Sequence, residues 1–438
     1  MLIFFFESNS FKVTLELGSI IIKFVSRKTS ISVFVRCAYL CFSYHFMFVG
    51  VKKFINVCSF LSKMFVITHE DGDARVGVLK TKSGDIETPF FMPVVTKATG
   101  KFITTDDYSC LGSDLGARGV ICNSLLLSFR PGTDIIKKAS GIHKFMNFKG
   151  LVFTDCGGFQ SSSSFFELKS KRGLHFRSPY DNKRVILTPE SIMRIQWDID
   201  SDVAMMLDDM SGYGVSYDEA KQAMINTHRW GVESLEHHKK LRSENNVKDG
   251  SRQLLFGISQ GNFFPDLRAE SAKFINGLDF DGVAIGGVAI GEPLEDMYLA
   301  VKASLPHISK DKIKYVMGLG SLVDLIEMIS LGVDCFDSIY PTQNARHSSI
   351  FTRKGKIYLD KGKYAEDFTP IELGCACHTC NHYTKAYIHH LTKINEPAAH
   401  RLKSIHNQYF LQRLIEDAKN AIKQKRFKEF KEEIKKNW

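Results

Sequence analysis

The sequence predicts an α/β protein built as a (β/α)8 barrel. Short apolar runs of β type recur along the chain, and each stops at a polar residue or a glycine. Amphipathic helical stretches separate them, which is the pattern of parallel β/α units. Three of the runs end at an aspartate, as they do when chemistry gathers at the C-terminal ends of barrel strands.

The runs follow one another in order. Residues 150–154 lead into Asp155, 203–207 into Asp208, and 254–259 into Gln260. Residues 282–285 lead into Gly286 and Gly287, 314–317 into Gly318, and 332–336 into Asp337. Helical patterns lie between them, for example at 217–240 and 266–276. Six such units suit a barrel of ~250 residues carrying insertions. A doubly wound sheet is the alternative, but the chain lacks the glycine-rich dinucleotide turn that such a fold carries. After Asp337 the texture changes. Residues 350–362 read as a hairpin, and a helical C-terminus rich in Lys and Glu closes the chain. That last charge run reads as a solvated helix face.

Composition sets outer bounds. The 438 residues are 44% hydrophobic and 24% charged, which excludes a disordered, collagen-like or polytopic membrane chain. The net charge of +10 permits a nucleic-acid partner without requiring one. Most of that excess sits in residues 1–63, which hold eight Lys/Arg against two Glu. This segment shows no clear helical or strand period. Arg36 and His45 interrupt its apolar run, so a membrane span is disfavoured. No basic leader with a small-residue cleavage site is evident, and Glu7 and Glu16 sit badly in an organellar presequence. It reads as an extension outside the fold, with the functional protein over 64–438.

Ten cysteines are present, and Cys375, Cys377 and Cys380 fall within six residues. This is no disulfide framework; it reads as one metal site in a reducing cytosol. Three thiolates need a fourth ligand to close a tetrahedral Zn²⁺ site. His382, His389, His390, His400 and His406 are downstream, and His406 is favoured because a helix can return it to the cysteines. Three thiolates and one imidazole leave no open position, so the zinc is structural, one per chain, in an insertion at about 365–410.

A barrel would point Asp155, Asp208 and Asp337 into one mouth. Any one of them could be a helix N-cap, but three together are less easily explained that way. Gly157-Gly158 and Gly286-Gly287 let a flat ligand approach backbone N–H groups. Paired carboxylates at a glycosidic centre supply a nucleophile and a proton-transfer group.

With these residues in hand, residues 75–430 closely resemble the tRNA-guanine transglycosylase (queuine tRNA-ribosyltransferase) family. The matching blocks are TPFFMPV (88–94), FRPG (129–132), TDCGGFQ (154–160), LTPESIMRIQ (187–196) and FGISQGNFFPDLR (256–268). They continue through FDGVAIGGVAIGE (280–292), YVMGLG (315–320), VDCFDSIYPTQNAR (333–346) and CACHTC (375–380), followed by His406-Asn407. The resemblance implies a (β/α)8 barrel with a zinc-binding insertion. It implies base exchange in tRNA without breaking the backbone. Asp337 matches the nucleophile and Asp155 the proton-transfer residue. Asp208, Gln260 and Gly287 match the groups that grip the purine edge, and Phe159 and Met317 the faces that sandwich the base. Cys375, Cys377, Cys380 and His406 fall on the zinc ligands. Arg346 and Gln343 fall where the family contacts the anticodon loop.

Departures stand out. Cys156 replaces a serine that helps to bind the base. The segment 123–127 is Asn-Ser-Leu-Leu-Leu rather than Asn-Thr-Tyr-His-Leu. Gln343 replaces an arginine, and Met210 follows Leu-Asp-Asp. The expected partners are tRNA, a free deazaguanine base, and a second subunit, identical or related, with no membrane. The exchanged base is queuine or its aminomethyl precursor, and the compartment is the cytoplasm. The chain stops about 30 residues after His406, which leaves no room for the extra RNA-binding domains of archaeosine-type relatives and favours position 34 over position 15. A non-catalytic accessory subunit is the other alternative, and retention of Asp155 and Asp337 argues against it.

Overall fold

The computed structural model describes residues 64–438, together with the backbone of the strands Phe11–Glu16, Ser19–Ser26 and Thr29–Arg36. The chain divides into two compact units, Met1–Lys63 and Met64–Trp438. In the first, the three strands form one antiparallel sheet. This corrects the reading of the segment as patternless. Phe11, Val13 and Leu15 alternate with Lys12, Thr14 and Glu16, a strand period over six residues that the surrounding Phe- and Ser-rich sequence conceals. Cys37, Cys41, Cys58 and the apolar run around His45 lie outside the described residues.

The second unit is organised by eight parallel strands. They are β1 (Phe90–Pro93), β2 (Gly119–Asn123), β3 (Leu151–Asp155), β4 (Val203–Met205), β5 (Leu254–Ser259), β6 (Gly282–Ile285), β7 (Ile313–Val316) and β8 (Cys335–Ser338). Each pairs with its neighbour in chain order, and β8 returns to β1 with Cys335 opposite Phe90. A bridge between Val94 and Ile121, with the Val95 N–H on the Ile121 carbonyl at 2.8 Å, closes the ring between β1 and β2. The (β/α)8 expectation holds, with eight strands where six runs were legible. The two unread strands precede the first legible unit: β1 ends in proline, and β2 runs from Asn123 straight into the apolar helix Ser124–Phe129.

The interior is packed. Phe90, Phe153, Phe256 and Tyr315 come from β1, β3, β5 and β7, and all are buried. Their rings meet at centroid distances of 5.4 to 6.3 Å around Phe153. Four side chains from alternate strands make one layer of a barrel core. At the start of β8, buried Asp334 is held by Arg75, whose Nε donates to Oδ1 at 2.9 Å and whose Nη1 donates to the Lys310 carbonyl at 2.7 Å. Removing one partner of such a buried pair costs about 3–5 kcal/mol. Arg75 belongs to an antiparallel sheet of three strands, Phe65–Asp71, Ala74–Thr81 and Gly84–Thr88.

Insertions decorate the frame. A three-stranded sheet (Phe166–Ser170, Gly173–Arg177, Arg184–Leu187) follows β3. The expected hairpin is formed by Ser349–Thr352 and Gly355–Tyr358. The helix Pro397–Lys423 buries Leu411, Leu414, Ile415 and Ala418 in the main core, and Gln412 Nε2 donates to the Phe91 carbonyl of β1 at 3.0 Å. Among the described residues, no helix is long and apolar enough to cross a membrane.

Candidate active site and metal centre

Strand direction decides where the polar residues gather. Asn123, Asp155, Asp208, Gln260, Gly287, Met317 and Asp337 each end or follow a barrel strand, so all lie at the C-terminal mouth.

Asp155 ends β3 and is half-buried. Its Oδ1 accepts the Gly157 N–H at 3.0 Å, and its Oδ2 accepts Asn123 Nδ2 at 3.0 Å. Gly157 takes a left-handed φ of +81°, which folds the chain back over the carboxylate. Burial raises the Asp155 pKa to about 7, against the two hydrogen bonds and with help from the charges of Asp337 and Asp208. The group can therefore hold or release a proton near neutrality.

Asp337 lies on β8 and is also half-buried. Its Oδ1 accepts the Tyr315 hydroxyl at 2.6 Å and the Gly318 N–H at 2.9 Å. Oδ2 has no protein partner among the described residues. Burial raises the Asp337 pKa while the two donors oppose it. Burial and the Asp337 charge push the Tyr315 hydroxyl well up, so it stays a donor.

Asp208 is buried, and Gln260 Nε2 donates to its Oδ2 at 2.7 Å. The Cys156 thiol donates to Oδ1 at 3.1 Å, so the cysteine that departs from the serine pattern still supplies a donor here. Burial raises the Asp208 pKa, opposed by Cys156 and Gln260. The neighbouring Asp209 is engaged elsewhere, with Lys169 and Asn226. A side chain at Gly158 would collide with Asp208, and one at Gly287 would sit 2.5 Å from Gln260 Oε1. These two glycines keep the floor of the mouth open.

Phe159 follows β3 and is 56% exposed, while half-buried Met317 follows β7. In the strand ring these lie on opposite sides of the mouth. Gln343 and Arg346 are on the helix Tyr340–Arg346 that follows Asp337; Gln343 is exposed and Arg346 half-buried.

Sequence reading missed Asn123, Tyr315, Gly318 and Arg268 as parts of this site. Asn123 ends a strand in the same way as the aspartates and opens the segment 123–127 that departs from the family pattern, but no role was assigned to it. Tyr315 reads as core in Lys-Tyr-Val-Met, and it and Arg268 fall inside the matching blocks YVMGLG and FGISQGNFFPDLR without a role being assigned to either.

The metal-ligating candidates also converge. The donor atoms of Cys375, Cys377, Cys380 and His406 all lie within 4.8 Å of one another. His406 Nδ1 is 3.4 Å from Cys377 Sγ and 3.3 Å from Cys380 Sγ. Its Nε2–H donates to the Phe351 carbonyl at 2.8 Å, which fixes the tautomer and leaves Nδ1 free for a metal. Asn407 anchors the same turn of helix to the Pro341 and Ser349 carbonyls at 3.1 and 3.0 Å. The group could hold a metal ion. His389 is not part of it and bonds the Leu359 carbonyl, and His390 is exposed.

An eight-stranded barrel with acidic residues at its mouth and a Cys3His cluster beside it defines a class of α/β enzyme scaffold with a metal-braced insertion. A model of the queuine tRNA-ribosyltransferase (TGT) family matches residues 70–438. The chain is similar to the queuine tRNA-ribosyltransferase of Thermoanaerobacter pseudethanolicus, at 42% identity over 84% of this chain and 94% of that one. It is 39% identical to that of Vibrio campbellii over 84% and 94% of the two chains. It is 38% identical to that of Natranaerobius thermophilus over 85% and 97%. The chain belongs to the queuine tRNA-ribosyltransferase family.

Proposed function

We propose that this protein exchanges guanine 34 of a tRNA anticodon for a 7-substituted 7-deazaguanine, queuine or its aminomethyl precursor. The enzyme is a pentosyltransferase. The observation that carries the reading is the pairing of Asp337, with one unpartnered carboxylate oxygen, and Asp155, buried to a pKa of about 7, in one barrel mouth.

Asp337 Oδ2 attacks C1′ of the target nucleotide. The C1′–N9 bond breaks, its electron pair leaves with guanine, and Asp155 supplies the proton. A ribosyl–Asp337 ester remains. The incoming base then attacks C1′, its N9 proton passes to Asp155, and the ester bond returns its electrons to Asp337. Two displacements retain configuration and need no nucleotide energy source. Asp208, Gln260 and the backbone of Gly287 hold the purine edge, and Phe159 and Met317 cover its faces.

RNA recognition draws on Arg346 and Gln343. It also draws on Lys97 and Arg130, exposed cations 5.4 and 5.0 Å from the Tyr180 ring centroid that form no ion pair among the described residues. Cys375, Cys377, Cys380 and His406 hold one structural Zn²⁺, since this donor set closes a tetrahedron. A second subunit docks beside the metal loop, where Tyr383 and Tyr387 stack at 5.4 Å and Tyr387 is 46% exposed. The free thiols of the described residues suit the cytoplasm. A non-catalytic accessory role is disfavoured by the two placed aspartates.

The test is exchange of radiolabelled guanine into an anticodon stem-loop carrying G34, with Asp337→Ala as control. Label incorporated by the native chain and lost in the variant supports the reading. Full-length tRNA labelled only outside the anticodon overturns position 34, and no label with any tRNA overturns the exchange.

A further inference from the structure

We infer that His378 and His382 form a second transition-metal site on the metal loop, separate from the Cys3His cluster and open to solvent. It takes one divalent ion of the class that prefers imidazole, such as Zn²⁺ or Ni²⁺.

The two histidines are the end residues of the short helix His378–His382, four positions apart. Side chains at that spacing stand on one face of a helix, and two histidines so placed are a recurrent zinc-binding pair. Their ring centroids lie 4.5 Å apart, and the rings are inclined by 33°. Zn–N bonds of about 2.0–2.1 Å set the two nitrogens roughly 3 Å apart, which rings in this arrangement reach by a small rotation. Cys377, the N-cap, and Cys380 turn to another face of the helix and converge on His406. The donor atoms of His378 and His382 are not among the four that gather there.

The ring nitrogens are prepared for an ion. His382 Nδ1–H donates to the His378 carbonyl at 2.8 Å, which fixes the tautomer and leaves the Nε2 lone pair free. His406 is set up in the same way within the inner cluster, with the roles of its two nitrogens exchanged. The ring nitrogens of His378 have no protein partner among the described residues. His382 is exposed and His378 half-buried, so an ion from solvent reaches both. Arg401 and Asp107 both act on His378, but Arg401 Nη2 donates to Asp107 Oδ1 at 2.5 Å and the two charges offset each other. The frame beneath is held. Thr379 is buried and its hydroxyl donates to the Leu402 carbonyl at 2.6 Å, while Tyr383 packs against both imidazoles at 6.2 and 6.3 Å. A preplaced pair loses little freedom when the ion arrives. Two imidazoles leave the other coordination positions to water, so this ion exchanges, whereas the closed four-ligand site keeps its own.

The experiment uses the untagged full chain, dialysed against metal-free buffer so that only the tightly held inner ion remains. Zn²⁺, and Ni²⁺ in parallel, are then added back and bound metal is measured by equilibrium dialysis. The expected result is one further ion per chain. Changing an outer-shell partner alone costs about 10–100-fold in metal affinity, so His378→Asn or His382→Asn, which removes a ligand, should weaken this uptake about 10-fold or more while the inner ion stays. A native chain that takes up no further ion, or variants that bind it as tightly, overturn the inference. A variant that also loses the inner ion shows the pair to be a brace of the cluster, and overturns it as well. If both variants fail to fold, acylation of histidines on the native chain, mapped by mass spectrometry, decides. Zn²⁺ must protect His378 and His382 together, and protection of one or neither overturns the inference.

Discussion

Tyr315 donates its hydroxyl to one oxygen of Asp337 at 2.6 Å, and the Gly318 N–H meets the same oxygen at 2.9 Å. Both donors favour the ionised carboxylate and leave the second oxygen to face the mouth. Tyr315→Phe keeps the ring in its core layer and removes one donor. A hydrogen bond to a charged group contributes about 1.5–3 kcal/mol, so kcat for exchange should fall roughly 10- to 100-fold. The acid limb of the pH profile should move to higher pH. Steady-state rates across pH test this, and an unchanged profile would remove Tyr315 from the mechanism.

Asp155 gives a second pH signature. Its folded pKa of about 7 lies above the value for a free carboxylate, because burial disfavours its charge. The folded state keeps the proton longer than the unfolded state, so this group's contribution to stability falls as pH rises from about 4 to about 7. Asp155→Asn should therefore raise the melting temperature more at pH 7.5 than at pH 4.5, while abolishing exchange. Asn123→Leu removes a donor that lowers the Asp155 pKa and should shift the corresponding kinetic pKa upward. Thermal melts and rate profiles check the two signs separately.

Metal removal should act on the fold before the chemistry. The four-ligand cluster is distant in sequence from Asp155, yet Cys377 pairs with Gly112 in an isolated bridge and the His378 N–H donates to the Leu111 carbonyl at 2.9 Å. Cys377→Ser should lose bound zinc, measured at about one ion per chain in the native protein by atomic absorption. It should also unfold at lower temperature. A native protein without zinc would refute the assignment of the ion.

RNA affinity should report Lys97 and Arg130. Neutralising both should weaken stem-loop binding and flatten its salt dependence, by a slope of about 0.7 for each single-strand phosphate that is no longer neutralised. Free-base binding should not change. Titrations at several salt concentrations measure this, and an unaltered slope would place the RNA elsewhere.

Legibility in the sequence followed contrast. Asp155, Asp208 and Asp337 stood out because each ends an apolar run, and the cysteines because three lie within six residues. The strands Phe90–Pro93 and Gly119–Asn123 were missed because one ends in proline and the other runs straight into the apolar helix Ser124–Phe129, which hides its boundary. Tyr315 and Arg268 were missed for a different reason. Their importance lies in what they touch across 22 and 18–19 residues of chain, and no local pattern encodes that. The alternation in Phe11–Glu16 was present but drowned by its surroundings.

The long helix Pro397–Lys423 and the residues after it grip the beginning of the barrel. Gln412 holds the Phe91 carbonyl of β1, and the Phe427 N–H binds Asp71 at 2.8 Å. During synthesis the first barrel strand therefore leaves the ribosome more than three hundred residues before the helix that seats it. Until that helix emerges, β1 lacks the Gln412 contact, although its pairing with β8 and the Val94–Ile121 bridge involve no residue of the helix. Docking of the helix is therefore a late step that completes the seating of β1.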